Sequence, residues 1–365
     1  MPRMQSVLMS LGSLVIGILC WSLAVTYAQQ APTYPLDDKL ANEPAPWTQP
    51  GKWGKRGNWG RWGEDDKRGM LNFITPEMIV KAAGLVKQGK VYALGEELHS
   101  DVPRFITPAR VGVQVIQEND GYDRVAKQPS DFDPKRYQGA SSFTFMHNHT
   151  GTHLDTFAHI YRENSLYNNM PPPKPAGTVH GDAASVKFMV GRGVLLDVAK
   201  YKGQDPLPAE YWITLEDLQN TAKAQKTEIQ KGDILLIRTG WRKVWDEPGD
   251  DGRVDLMHRK WHQTQPGIGP DSLAFLNDME IVAIGADTAA VEWGFPVKPN
   301  YVRKAFGFHG LPIHPDFLWS RGAYIIEIMN LDELAQDQAY EFLFVLGPLL
   351  LRGGIGIPVN PIAIR

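Results

Sequence analysis

Residues 147–159 read His147-Asn148-His149-Thr150-Gly151-Thr152-His153-Leu154-Asp155-Thr156-Phe157-Ala158-His159. Four of the chain's ten histidines and one aspartate fall within these thirteen positions. Imidazole nitrogens and carboxylate oxygens are the donors that zinc or manganese accepts. His149, His153 and Asp155 are therefore candidate ligands of a catalytic metal. A histidine-rich surface loop is the bland alternative, and this concentration argues against it. On a helix, at about 100° per residue, Asp155 would turn away from His149. On a strand, positions 149, 151, 153 and 155 share one face. The pattern predicts an extended segment with its odd face toward the metal. Gly151 leaves room for a close approach. His159 would stand about 20 Å from His149 along a straight strand, so the chain must bend after Asp155 for His159 to join the site.

Far downstream, Ala323 to Met329 reads as a strand with one acid, Glu327, in its middle. A carboxylate there is costly unless it is paired or bound to metal; the other reading is an edge-strand acid. His309 and His314 lie just upstream and, with Glu327, are candidates to complete the metal shell from a distant part of the chain. Asp287 ends another strand and suits a turn or cap better than a site. Arg238 suits an ion pair better than an anion site. His258 and His262 have helical i, i+4 spacing but lack the glutamate of the zincin motif, and read as surface residues.

The chain has 365 residues, 43% of them hydrophobic, enough to bury a large core. A net charge of −3 gives no basic footprint for nucleic acid. Arg3, the apolar run Val7 to Val25 and Thr26-Tyr27-Ala28 read as a signal peptide over 1–28, with an uncleaved membrane anchor as the alternative. The expected location is periplasmic or secreted, with no membrane span left after cleavage. The single cysteine, Cys20, lies inside that segment, so the mature chain has no disulfide and no thiolate ligand. Residues 29–50 read as a flexible leader. The domain then runs from 51 to 365 and opens with an arm of Gly, Trp and charge. Trp59 and Trp62 on this arm suit either a pocket for a flat substrate or plain core packing.

Thr75-Pro76-Glu77 starts a helix, and Thr214 with Asp217 starts another. Strands are expected at Val91–Leu98, Val111–Ile116, Gly193–Val198, Asp233–Thr239, Ile281–Ile284 and Phe342–Leu346, with a long loop over 118–140. No G-x-G-x-x-G follows a strand, and there is no P-loop. The fold class is α/β: one compact domain with a mixed sheet and few helices.

The segment HTGTHLDTFAH resembles the H-x-G-T-H-x-D-x-x-x-H signature of the metal-dependent cyclase family, which includes bacterial kynurenine formamidase, isatin hydrolase and a dienelactone hydrolase. The blocks NWGRWGEDDKRGMLN, RGVLLDVA, GDILLIRTGW, IGADTAAVE and HPDFLWSRGAYIIEIMNLDEL extend the resemblance over roughly residues 55 to 350. The resemblance implies a swivelling-domain-like β-barrel core and a dimer or higher oligomer. It implies metal ligation by His149, His153 and Asp155, with His314 and Glu327 at the later positions, and a catalytic role for His159. The cofactor would be Zn2+ or Mn2+. The reaction would be hydrolysis of a formamide or cyclic amide by metal-activated water, with a lactone as the alternative substrate. Trp59, Trp62, Phe143 and Phe157 would suit an aromatic or cyclic small molecule. A non-catalytic exported metal- or ligand-binding protein is the reading from another class. His147 is an extra histidine. Thr156-Phe157-Ala158 departs from the family's preference for proline or a small residue after the aspartate.

Overall fold

The computed structural model describes residues 57–104, 112–119, 140–174, 180–249, 252, 259–262, 264–294 and 312–365. The signal peptide, the leader, residues 51–56, Val111, most of the 118–140 loop, His258 and His309 lie outside them. The described residues fall in one compact unit, Glu43–Arg365.

The strands in chain order are β1 (Val91–Ala93), β2 (Gln114–Asn119), β3 (Ser141–Phe145), β4 (His153–Asp155), β5 (Met189–Asp197), β6 (Trp212–Ile213), β7 (Ile234–Arg238), β8 (Gly267–Ile268), β9 (Ala283–Ala286), β10 (Tyr324–Glu327), β11 (Glu341–Leu346), β12 (Gly356–Pro358) and β13 (Ile362–Ile364). A nine-stranded sheet takes the order β1-β13-β11-β5-β7-β9-β10-β4-β12. Strands β5, β7, β9 and β10 are mutually parallel. Each is a nearly unbroken apolar run, the pattern of a strand covered on both faces, and each is buried along most or all of its length. By contrast, β11 alternates buried and half-buried residues.

The sheet curls into a half-barrel. From β13 to β12 there are seven inter-strand steps in the order, about 34 Å if the sheet were flat. Only residues 359–361 join these two strands, and they reach at most about 15 Å. The two ends must therefore approach. Leu94, just past β1, donates its N–H to the Pro361 carbonyl (2.9 Å) and accepts at its own carbonyl from Asn330 beyond β10 (3.0 Å).

Helices cover this frame. In α1 (Pro76–Ala83) the Thr75 side chain accepts from Met78 N, with Pro76 at the first position. In α2 (Leu215–Gln225) Thr214 and Asp217 form the expected capping box. Such caps stabilise by about 1 kcal/mol. The arm from residue 57 onward packs on the π-helical segment Pro315–Arg321. Trp59 Nε1 donates to the Trp319 carbonyl (2.7 Å), and Asn58 N donates to that of Ser320 (3.0 Å).

Three expectations change. The run 149–155 is not one strand: Gly151 sits at φ +60°, which turns the chain, and only His153–Asp155 pair in the sheet. The first strand stops at Ala93 rather than Leu98. Two short strands, β12 and β13, follow the one expected to be last.

Asp287 holds a turn, as expected. Its Oδ1 accepts from Thr239 N (2.8 Å) and Oγ1 (2.7 Å), and its Oδ2 from Gly240 N (2.7 Å). Burial pushes its carboxyl up to about 6, against Arg238 and these donors. Arg238 is an ion-pair hub for Asp197, Asp205 and Asp332 at 2.7–3.0 Å. Removing the acceptor in Asp287→Ala strands three buried donors at about 1–3 kcal/mol each. The expected loss, read from the urea midpoint, is about 3–5 kcal/mol after partial relaxation.

Candidate metal centre

Strand β4, which carries the candidate ligands His153 and Asp155, lies between β10 and β12, antiparallel to both. His153 and Asp155 point to one face, and Leu154 points to the core behind. The register sets Glu327 of β10 directly opposite His153, and antiparallel partners project to the same side. His153 Nε2 therefore stands 3.3 Å from Glu327 Oε2.

His149 enters from the turn that Gly151 permits. Its Nε2 lies 3.1 Å from Asp155 Oδ1. Its ring rests on Gly356 of β12, where an added Cβ would be 2.6 Å from Nε2. His147 supports this turn: its Nδ1 accepts from His149 N at 3.1 Å. After Asp155 the chain bends through the 3-10 turn Phe157–His159, as the reach of His159 demanded. His159 Nε2 comes to 4.0 Å from Asp155 Oδ2. His314 precedes the π-helical segment, with Nε2 at 3.3 Å from Asp155 Oδ2 and 3.5 Å from Glu327 Oε1.

Ligand-type atoms of His149, Asp155 and His159, of His153, Asp155 and Glu327, and of Glu292, His314 and Glu327 form three sets, each spanning no more than 4.8 Å. Asp155, His153, His314, Glu327 and His149 are buried, whereas the His159 side chain keeps 26% of its exposure. His159 is thus the open side of the cluster. Among the described residues no lysine or arginine forms an ion pair with Asp155 or Glu327. Neither Asp155 oxygen receives a well-directed hydrogen bond, nor does Glu327 Oε1. Buried carboxylates left so would be costly. Nitrogen and oxygen donors gathered in three overlapping sets are what a divalent cation accepts.

The electrostatics follow from the same crowding. Burial alone would raise Asp155, but the imidazoles, His159 foremost, hold its carboxyl well below the usual range. Burial and then repulsion from Asp155 raise Glu327, with His153 opposing. Burial pushes His159 down to about 3, against the pull of Asp155. Its imidazole is therefore neutral near pH 7 and carries a lone pair for a proton.

His149, His153, Asp155, His314 and Glu327 meet here with His159, His309 lies outside the described residues, and the expected aromatic contacts are not made. Phe157 is 1% exposed and packed between Tyr167 and Tyr324, with ring centroids at 5.0 and 4.6 Å. It offers no face to a substrate, because the bend that brings in His159 turns Phe157 into the core. Trp59 stacks edge-on against Trp319 at 4.9 Å, and Trp62 packs on the core under Arg61. Both anchor the arm, which is the packing alternative. Phe143 lies exposed on the β2–β3 ribbon. Sequence reasoning missed Gly356 and Glu292.

Gly356 yields a direct test. Its φ is not in the left-handed region, so alanine there is a steric change only. Gly356→Ala should displace His149 and weaken metal binding about 10–100-fold, the range seen when a ligand loses its support. Chelator competition on the folded variant measures it.

A curled mixed sheet with a buried His/Asp/Glu set at the strand between β10 and β12 defines the class. The family model described as "Putative cyclase" matches residues 23–293, and the chain belongs to this Cyclase family. A crystal structure described as a novel cyclase is 35% identical, with a TM-score of 0.72, covering 84% of this chain and 99% of that one. Isatin hydrolase A from Labrenzia aggregata is 20% identical at TM-score 0.50, covering 79% and 97%. An isatin hydrolase bound to the product analogue thioisatinate is 19% identical at TM-score 0.52, covering 80% and 98%. These last two show the shared fold. A search of curated proteins found no match. His314 and Glu327 lie beyond the family-model match, so their place in the cluster rests on the fold.

Proposed function

We propose that this protein is a metal-dependent hydrolase of a carbonyl C–N bond, in a formamide or a cyclic amide. The observation that carries the reading is the cluster itself: a buried N/O ligand set with one neutral imidazole, His159, at its open side. His149, His153, Asp155, His314 and Glu327 would hold Zn2+ or Mn2+. Such an ion, when bound, acidifies water and polarises a carbonyl oxygen. His159 takes the proton as the water oxygen bonds to the carbonyl carbon. It returns that proton to the nitrogen as the C–N bond breaks. The isatin hydrolases with this fold support the cyclic amide within the class. The apolar Val7–Val25 run supports an exported, periplasmic or secreted enzyme. The family resemblance supports a homo-oligomer.

The test is a substrate screen on metal-analysed protein, loaded with Zn2+ or Mn2+ and incubated with N-formylkynurenine, isatin and simple lactones. Turnover of the formamide or of isatin is expected. Stoichiometric metal with no turnover of any would overturn the enzyme reading in favour of a binding protein. Turnover confined to lactones would overturn the C–N assignment.

A further inference from the structure

One buried carboxylate near the cluster takes no part in the hydrolytic scheme above. Glu292 is fully buried. Both of its oxygens meet His314 Nδ1, at 2.8 and 2.7 Å, and its Oε1 also accepts from His314 N at 3.2 Å. The opposite nitrogen of that ring, Nε2, faces Asp155 and Glu327. The two ring nitrogens of His314 therefore have different partners on opposite sides.

The backbone of Glu292 is fixed as firmly as its side chain. Val291 and Trp293 flank it on the ladder beside β8, with Ile268 N donating to the Val291 carbonyl and Trp293 N to the Ile268 carbonyl, both at 3.0 Å. Gly267 gives this ladder its room, since a Cβ there would stand 2.4 Å from the Glu292 carbonyl carbon. Glu292 is thus carried by the small β6–β8 sheet, independently of the π-helical segment that His314 precedes.

We propose that Glu292 is the positioning residue of the metal centre. It holds the Nδ1–H tautomer of His314, aims the Nε2 lone pair at the ion and strengthens that nitrogen as a donor. A carboxylate behind a ligating imidazole fixes its tautomer and orientation and raises its basicity. The proposal rests on the metal reading of the cluster. It adds a residue that touches neither ion nor substrate.

The experiment compares full-length wild type, Glu292→Gln and Glu292→Asp. Zn2+ and Mn2+ affinities are read by chelator competition. Histidine tautomers are read by 15N NMR of the zinc-loaded protein. In the wild type, His314 should carry its proton on Nδ1. Glu292→Gln should bind both metals about 10–100-fold more weakly, because an amide can meet Nδ1 as donor or acceptor and no longer fixes the tautomer. Glu292→Asp should recover part of the affinity. Wild-type His314 protonated on Nε2 would overturn the proposal whether or not a variant folds. So would a folded Glu292→Gln that binds both metals as tightly as wild type. Wild type that takes up neither metal would sink the metal reading itself, a separate result from either of these.

Discussion

His153→Ala is expected to empty the metal centre and to lower hydrolysis by at least about a thousandfold. His153 projects from the strand between β10 and β12 and is the direct cross-strand partner of Glu327. Its Nδ1 lies 2.9 Å from the Gly151 carbonyl, which holds the ring with Nε2 toward the carboxylates. Alanine removes the donor and leaves the buried Glu327 without its nearest imidazole. A metal's contribution to such chemistry is several kcal/mol, and about 4 kcal/mol corresponds to roughly a thousandfold. Metal content and rate should fall together. A variant that keeps both would show that the cluster is not the reaction's metal site.

His159→Gln should separate chemistry from metal binding. His159 Nε2 is the most distant of the imidazole nitrogens facing Asp155, at 4.0 Å, and its side chain is the least buried of them. Glutamine keeps a polar group of similar reach but cannot accept and return a proton. The expected result is full metal occupancy with kcat reduced about 10²–10⁴-fold, the usual contribution of a general acid–base, and little change in KM. Loss of metal alongside rate would make His159 a ligand instead. The low proton affinity of this imidazole means that it stays neutral well below pH 7.

Much of the fold was legible because the buried strands announce themselves. Ile234–Arg238 and Tyr324–Glu327 are apolar runs that only a doubly covered sheet accommodates. The misses share a physical cause. Strands β12 and β13 are three residues each, with Pro358 and Pro361 in or between them, too short to display alternation. Gly151 satisfies both the extended reading and a left-handed turn, and only the fold selects the turn. In the site, His149, His153 and Asp155 were legible from spacing, and His159 from the condition that the chain bend. Glu292 was not, although it closes the otherwise small and apolar run Thr288-Ala289-Ala290-Val291-Glu292. A carboxylate serving a histidine 22 positions later has no local signature. Phe157 shows the converse: one turn of 3-10 geometry sends His159 to the site and its neighbour into the core.

The three-residue link from β12 to β13 has a thermodynamic side. Strand β12 carries Gly356, the floor under His149, and its extension bonds Val359 N to the Thr152 carbonyl at 2.9 Å within the ligand motif. Strand β13 sits near the sheet's other end, paired with β1 and β11. The last ten residues therefore act as a clasp that cannot be undone at one side without loosening the other. Docking of the chain's final segment and assembly of the ligand set become a single cooperative event. An ion bound in the cluster would accordingly stabilise the curled half-barrel by mass action, far from the atoms it touches.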